Sequence, residues 1–265
     1  MERRIRKHRE GFPHGETRIA GRDALGFDFS IRKLRAGERI EERSEDESAW
    51  VLMSGEASVS FGGGVHAVRR ASLFDEPPTT LSLGPGTALS IESLGESEWA
   101  VARTNNERSF EPRLFLPEQV QNELRGKGLA QNACTRTVRL VFDLDVHSAS
   151  KLVVGEVINL PGRWSSYPPH HHPQPELYHY RFTAPQGYGH AELGEQVFKV
   201  RSYDTLTIMG GETHAQVAAP GYGMYYLWII RHFDGQPYRG FTFTPEHEWL
   251  LDPDQQGWRP KDGDA

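Results

Sequence analysis

The sequence predicts an all-β protein with two similar barrels in one chain. Short runs of β-branched and aromatic residues recur along it, separated by Gly, Pro, Asp and Asn residues that are typical of turns. Long apolar stripes with a helical period are nearly absent. Because the same rhythm of strands occurs in both halves, we expect one barrel from each half.

Each half supplies its own set of predicted strands. In the first half they are 27–34, 48–53, 57–61, 72–74, 80–83 and 88–91, with turns at 54–56, 62–64 and 84–86. In the second half they are 151–158, 176–182, 196–200, 205–208 and 224–230. Between them, the polar segment 105–133 contains prolines and, at 117–125, the best candidate for a short helix. We therefore predict an N-terminal barrel without metal over 1–104, a linker with a short helix over 105–135, and a metal-binding barrel over 136–265.

Composition narrows the class of protein. The chain has 265 residues, of which 37% are hydrophobic and 25% charged, as in globular proteins. A net charge of -6 argues against a nucleic-acid partner, and the basic opening 1–9 is interpreted as a solvated tail. No stretch approaches the ~18 apolar residues of a membrane span, and no secretory signal is evident, so we expect a soluble, cytoplasmic protein without a membrane partner. The lone Cys134 cannot form a thiolate cage, so any metal must use nitrogen and oxygen ligands.

A histidine-rich segment predicts a metal site in the second barrel. In an extended chain, His170 and His172 point to one side and His171 to the other. Glu176 lies at an even offset from both, and His214 follows the turn 210–213. Three imidazoles and a carboxylate suit zinc, manganese, iron, nickel or cobalt and leave a position open for water or substrate. The alternative is an exposed polar loop in a histidine-rich chain.

These residues also resemble a known family. The pattern His170-x-His172-x-x-x-Glu176, followed by Gly211-x-x-His214, is similar to the two cupin motifs on facing strands of a jelly-roll barrel. Within cupins, the chain resembles the 5-deoxy-glucuronate isomerases of inositol catabolism and the related 4-deoxy-5-keto-uronate isomerases. The segments that carry this resemblance are 155–156, 161–172, 176–181, 185–188, 220–222, 225–228 and 245–249, with 50–55 and 74–77 in the first half.

The resemblance implies a fold, a reaction and a cofactor. It implies two cupin barrels, of which the second holds one divalent metal ion such as zinc, manganese or iron. It implies a homo-oligomer whose substrate is a sugar acid, and an aldose–ketose isomerisation that yields 5-keto-2-deoxy-gluconate. The resemblance leaves open a different sugar acid as the substrate. The reason is that Met209 to His214 and the short segment between His172 and Glu176 differ from the usual family pattern.

Isomerisation also needs a proton donor or acceptor near the metal. Tyr178 and Tyr180 share the predicted inward face with Glu176, although aromatic packing is an equal alternative. His190 and Glu192 share a face after a turn, and either could act as a base.

Period-two alternation sorts the neighbouring residues by face. It turns His179 away from the metal and places Arg181 outward, where a surface salt bridge is expected rather than a contact with a substrate carboxylate. One of Tyr225 and Tyr226 must face inward.

Two other functions fit the same ligands. An iron-dependent cupin dioxygenase would use three histidines, one glutamate and open positions for oxygen chemistry. A sugar-binding cupin would retain the metal without catalysis. Turnover without oxygen distinguishes the isomerase from the first alternative, and product formation distinguishes it from the second.

Overall fold

The structure confirms a mostly β chain. It is a computed structural model that describes residues 4–255, 257 and 258. Within these ranges every helix is too short or too polar to cross a lipid bilayer. One α-helical turn, α1 (Arg22–Leu25), and 3-10 turns at Pro117–Gln119, Leu129–Asn132 and Pro245–Leu251 interrupt the strands.

The strands of the first half form a nine-stranded sheet that folds over on itself. They are β2 (Gly15–Ala20), β3 (Asp28–Leu34), β4 (Arg39–Arg43), β5 (Glu47–Phe61), β6 (Gly64–Arg70), β7 (Thr80–Leu83), β8 (Ala88–Ser93), β9 (Ser97–Thr104) and β10 (Arg113–Phe115). The long strand β5 joins its two layers, because its first part pairs with β7 and β9 and its last part with β6 and β8.

Two sheets that face each other form the second barrel, and one of them includes a strand from the N-terminal segment, Ile5–Arg6, which was predicted with the first barrel. One sheet has the order β1 (Ile5–Arg6), β18 (Thr205–Ile208), β15 (Glu176–Phe182), β20 (Met224–Arg231), β13 (Leu152–Asn159), β12 (Arg136–Phe142) and β11 (Gln121–Arg125). The other has the order β17 (Gln196–Arg201), β16 (Tyr188–Leu193), β19 (His214–Ala218), β14 (Trp164–His171) and β21 (Thr242–Phe243).

Strand alternation builds three apolar cores. In β5, Trp50 and Leu52 point into the first barrel, whereas Val51 and Met53 point toward the second half. In β20, Leu227 faces that shared core between the halves, while neighbouring side chains of the strand face the interior of the second barrel. The first barrel is filled by apolar side chains around Trp50, whereas the second contains the large cavity described below.

Four expectations about local structure were wrong. The predicted strand 72–74 lies in a turn region, and the predicted turn 54–56 lies inside strand β5. The segment 117–125 is helical only over Pro117–Gln119, and Gln121–Arg125 is strand β11, paired with β12. The basic opening is not simply a solvated tail, because Ile5–Arg6 forms strand β1 on the edge of β18. Arg4 also pairs with Glu212 at 2.9 Å. Residues 1–3 of that opening lie outside the described residues.

A buried polar cluster joins the two halves across the shared core. Both oxygens of Glu156 accept hydrogen bonds from Arg70, each at 2.8 Å, and the Tyr225 hydroxyl donates to the same carboxylate at 2.6 Å. Arg139 approaches Glu156 at 3.4 Å and donates to backbone carbonyls at Leu73, Phe74 and Glu76. These contacts fix strands β12, β13 and β20, whose opposite faces line the cavity of the second barrel.

Candidate metal centre

Three strands of the second barrel bring the predicted ligands together. His170 lies near the end of β14 and pairs in register with His214, which opens β19 on the same sheet. Glu176 opens β15 on the facing sheet, just after the turn that follows His172. The Gly211 amide donates to the His172 carbonyl at 2.8 Å. This backbone hydrogen bond joins the segment that carries His170 and His172 to the turn before His214.

A glycine is required at position 210, where the turn before His214 packs against the segment after His172. A Cβ on Gly210 would lie 1.9 Å from the Pro173 carbonyl oxygen, far inside any real contact distance. Any side chain there would separate the turn that carries His214 from the segment that carries His172. Gly210 therefore sets the distance between ligands that are remote in sequence.

Three of the four predicted ligands form a compact buried group. Ligand atoms of His172, Glu176 and His214 all lie within 4.8 Å of one another. One Glu176 oxygen is 3.2 Å from His172 Nε2 and 3.4 Å from His214 Nε2. Burial raises the pKa of Glu176, but the hydrogen bond from His172 and the nearby His214 outweigh it and lower the pKa to about 2. The carboxylate is therefore ionised at neutral pH, as a metal ligand must be.

His170 lies beside this group but does not join it. Its ring centroid is 4.5 Å from that of His214 and 6.5 Å from that of His172. The ring stacks on Phe241 at 4.1 Å. Burial, with a contribution from His214, lowers the pKa of His170 to about 3, so the imidazole is neutral.

The nitrogen atoms of this group fit a divalent metal ion. His214 Nδ1 donates to the Glu212 carbonyl at 3.0 Å, which leaves the Nε2 lone pair directed toward Glu176. His214 Nε2 and His170 Nδ1 are buried without a hydrogen-bond partner in the described structure. Unpaired imidazole nitrogens beside an ionised carboxylate, oriented through the other ring nitrogen, are typical of metal sites in proteins.

The candidate ligands lie in the wall of a large cavity. It has a volume of about 330 Å³ and lies between the two sheets of the second barrel. Its lining includes His170, His172 and Glu176, together with Tyr178 from the inner face of β15. A substrate in the cavity would therefore contact the candidate metal centre directly.

Hydroxyl groups line the cavity next to the ligands. The Tyr178 and Ser166 hydroxyls are 3.3 Å apart, and Tyr226 contacts Ser165 at 2.8 Å. Ser166 has a φ of 52° where the pairing of β14 with β19 is interrupted, a left-handed conformation that non-glycine residues adopt at a cost. This conformation places Ser166 in the cavity wall.

The structure separates Tyr178 from the other predicted catalytic residues. Tyr180 is fully buried and donates to Gln216 at 2.7 Å, and it does not line the cavity. His190 is exposed and Glu192 half-buried, with Ala191 between them facing the core. His190 and Glu192 thus lie on the outer face of β16, away from the cavity lining.

Alternation predicted the face of the neighbouring residues but not their surroundings. His179 faces away from the ligands, as predicted, and packs between Phe12 and Phe29 in the shared core. Arg181 also faces away, but the expected surface salt bridge is wrong. Its side chain is buried, is paired with Glu98 of the first half and lies over the ring of Tyr203.

Several cavity residues were not found from the sequence. Of the two tyrosines on β20, Tyr226 faces the cavity, whereas Tyr225 faces Glu156. Trp228 lies two residues after Tyr226 on the same strand and also lines the cavity, although it was not predicted as a cavity residue. No sequence signal indicated the charged and aromatic lining residues that come from the hairpin β11–β12 and from the segment after β20: Arg125, Arg136, Tyr238, Arg239 and Phe241.

Comparison with known proteins agrees with the fold. A model of the KduI/IolB family matches residues 5–250. A 5-deoxy-glucuronate isomerase from Geobacillus kaustophilus is 28% identical over 252 residues, which cover 88% of this chain and 87% of that protein. The crystal structure of an IolB-like protein from Salmonella typhimurium has a TM-score of 0.80 at 25% identity, covering 91% of this chain and 97% of that chain.

A more distant structure confirms the fold class. A cupin 2 conserved barrel domain protein from Leptotrichia buccalis has a TM-score of 0.54 at 15% identity, covering 84% of this chain and 93% of that chain. The prediction of cupin barrels is confirmed. The prediction of an isomerase is also confirmed, because the matched relatives carry that activity in their names. The family model spans nearly all of the sequence, and the chain belongs to the KduI/IolB family.

Proposed function

We propose that the chain is a metal-dependent aldose–ketose isomerase that converts 5-deoxy-glucuronate to 5-keto-2-deoxy-gluconate. In this proposal one divalent ion, such as zinc, manganese or iron, is held by His172, Glu176 and His214, and His170, whose ring centroid lies 4.5 Å from that of His214, turns toward the ion as the fourth ligand. The names of the matched relatives support the substrate, and the chemistry of the donor atoms supports the metal.

The observation that carries the proposal is the position of the ligand group. His172, Glu176 and His214 converge on one point, and the first two of them line the cavity. Its volume of about 330 Å³ lies within the range of roughly 300–1,000 Å³ that is usual for small-molecule sites. A six-carbon sugar acid is a ligand of this class.

The reaction requires protons to move between neighbouring atoms of the substrate. The C2–H bond breaks and a C1–H bond forms, while the aldehyde oxygen gains a proton and the C2 hydroxyl loses one. When bound, a divalent ion would supply Lewis-acid stabilisation of negative charge on substrate oxygen. The protein must supply the groups that hold or move the protons.

Tyr178 is the side chain best placed to hold a proton for substrate oxygen. It lines the cavity beside Glu176, two residues along the same strand. Burial and the nearby Glu176 raise the pKa of Tyr178 well above its ordinary value, so the hydroxyl stays protonated at neutral pH. Ser166, at 3.3 Å, orients this hydroxyl. We assign Tyr178 the role of donor to a substrate oxygen, not of a base toward carbon.

An anaerobic assay tests the proposal. Purified protein is incubated with 5-deoxy-glucuronate without oxygen, and the products are followed by NMR before and after removal of metal with a chelator. We expect 5-keto-2-deoxy-gluconate from the untreated protein, loss of turnover after chelation, and recovery when a divalent metal is restored.

Two outcomes would contradict the proposal in different ways. Strict dependence on oxygen would indicate dioxygenase chemistry. Thermal stabilisation by the sugar acid without any product would indicate a binding protein.

We also propose that the chain forms homo-oligomers, as the resemblance implies. Light scattering during size-exclusion chromatography would measure the molar mass directly. A mass near 30.0 kDa would contradict this proposal.

A further inference from the structure

Two arginines lie opposite each other at one end of the cavity. Arg125 on β11 and Arg136 on β12 are direct partners in the antiparallel register, and both line the cavity. Like charges in directly opposite positions destabilise a strand pair. Strand pairing alone therefore does not explain why two arginines occupy these opposite positions.

Arg136 has no acidic partner in the part of the chain that the structure describes. Its Nη1 donates to the Cys134 carbonyl at 3.0 Å, but no carboxylate lies within 4.0 Å of its guanidinium. Arg125 differs, because its Nε is 2.8 Å from Glu123 in an exposed pair. Burial lowers the pKa of Arg136, and the Arg125 charge lowers it further. A partly buried cation without a counterion gains most from an added anion.

Other charges around the cavity leave this end positive. Arg239 is a third cation in the lining. The acidic groups there are Glu176, paired with histidines, and Asp143 and Asp145. Asp143 accepts hydrogen bonds from the amides of Asp145 and Val146, each at 3.1 Å. None of these carboxylates neutralises Arg136.

The backbone of the hairpin is shaped to hold the Arg136 guanidinium. Gly126 follows β11 with a φ of 76°, in the left-handed region. A Cβ at this position would lie 2.2 Å from the Cys134 carbonyl oxygen and 2.8 Å from Arg136 Nη1. A side chain at 126 would displace both the guanidinium and the carbonyl that accepts from it.

We propose that Arg136, with Arg125 beside it, binds the carboxylate of the sugar acid in the cavity. The inference rests on the proposed function, because it names the part of the site that recognises that substrate class. From Arg136, the inward residues Val138 and Leu140 of β12 continue along the cavity wall. The cavity thus has guanidinium groups on β11 and β12, and Glu176 on β15 of the same sheet, three strands away from β12. A sugar acid matches it, with a carboxylate at one end and a carbonyl at the other.

Two stable sugars of similar size test this recognition. D-glucuronate carries a carboxylate at C6, and D-glucose carries a hydroxymethyl group there but is otherwise the same. Calorimetric titration of the protein as purified, with its metal content measured, would give both affinities. We expect tighter binding of D-glucuronate.

Substitution of Arg136 identifies the group responsible. Arg136→Met is expected to weaken D-glucuronate binding about ten- to a hundredfold, because charged hydrogen bonds are lost, and to leave D-glucose binding unchanged. Arg136→Lys should restore part of the loss, since the charge returns without the paired donors. Arg69→Met is the matched control, because Arg69 is exposed on β6 of the first barrel. Melting temperatures and metal content establish that each variant is folded and loaded.

The outcomes separate this inference from the proposed function. Equal D-glucuronate affinity in wild type and in folded Arg136→Met would overturn the inference, as would equal affinity for both sugars or no D-glucuronate binding in wild type. Absence of turnover with 5-deoxy-glucuronate would instead count against the proposed reaction. In that case, Arg136-dependent binding of D-glucuronate would still support the carboxylate subsite.

Discussion

Arg70 of the first barrel and Glu156 of the second form a bidentate ion pair that is closed to solvent. Both N–O distances are 2.8 Å, and the two side chains have no exposed surface. The pair lies beside the shared apolar core, with the Tyr225 hydroxyl as a third member. Two charges held in this way make the two halves of the chain depend on each other for stability.

Breaking this pair on one side is expected to be costly. Glu156→Ala would leave Arg70 buried and unpaired, and we expect a loss of about 3–5 kcal/mol in the free energy of unfolding. Urea denaturation measures this change. The exposed pair of Arg39 and Glu41 is the matched control, and Glu41→Ala should change stability by about 0–1 kcal/mol. The double variant Arg70→Met/Glu156→Leu should lose less than Glu156→Ala alone, because it removes the Arg70 charge as well and leaves only Arg139, whose guanidinium donates to backbone carbonyls. An equal or larger loss would contradict this explanation.

The ligand group predicts which substitutions remove metal. Separate replacement of His172, Glu176 or His214 by Ala should reduce the bound metal to well below one equivalent after dialysis, as measured by elemental analysis. Each change removes one of the atoms that converge in the structure. His66→Ala removes an imidazole from the first barrel and should retain the metal. Unchanged metal content in all three ligand variants would show that the site is not where we propose it.

The two tyrosines of β15 should differ in their roles. Tyr178→Phe removes the hydroxyl in the cavity, and we expect kcat to fall by about 10²-fold or more. Tyr180→Phe removes a hydrogen bond to Gln216 in the core, so it should cost about 1 kcal/mol of stability and leave kcat near that of wild type. Steady-state kinetics and denaturation together check both expectations. The reverse pattern, with kcat lost only in Tyr180→Phe, would remove Tyr178 from the mechanism.

His147 predicts a loss of stability in mild acid. It is buried among Phe110, Phe115 and Phe142, and burial, with a contribution from Arg113, lowers its pKa from 6.5 to about 4. As the pH falls, His147 takes up a proton in the unfolded state before it does so in the folded state. The contribution of neutral His147 to the free energy of unfolding is therefore complete above pH 6.5 and is lost as the pH falls toward 4. The linkage amounts to at most about 3 kcal/mol.

A variant isolates that contribution. In His147→Phe the free energy of unfolding should fall less steeply between pH 6.5 and 4 than in wild type. The slope should not vanish, because His170 also has a lowered pKa, of about 3. Urea denaturation at several pH values compares the two proteins. Identical slopes would mean that His147 does not titrate differently in the two states.

Sequence patterns predicted some of the strands that bury one face or both, but they missed others, such as β9 and β12. Runs such as Lys151 to Ile158 and Met224 to Ile230 contain many apolar residues, and each forms a strand here. Strand β11 was missed because all five of its side chains are exposed, so no hydrophobic period marks it. Backbone pairing with β12 determines its conformation, and that pairing depends on tertiary contacts.

The same distinction applies to the site. Alternation placed Glu176 and Tyr178 on one face because both belong to a single regular strand. It could not show that Arg181 meets Glu98, since that contact joins two barrels, nor that Arg136 reaches the cavity from another hairpin. Histidine spacing was informative because the chain has only 12 histidines, whereas it has 30 lysines and arginines, most of which need no special role.

The short strand β1 has a practical consequence for handling this protein. Arg4 is bonded to Glu212, whose carbonyl orients the ring of His214, so the start of the chain is only two contacts from a proposed ligand. An affinity tag or a trimmed expression start at that end would bear on metal retention, even though the change is remote in numbering. Preparations that differ in their first few residues should therefore be compared for metal content before their activities are compared.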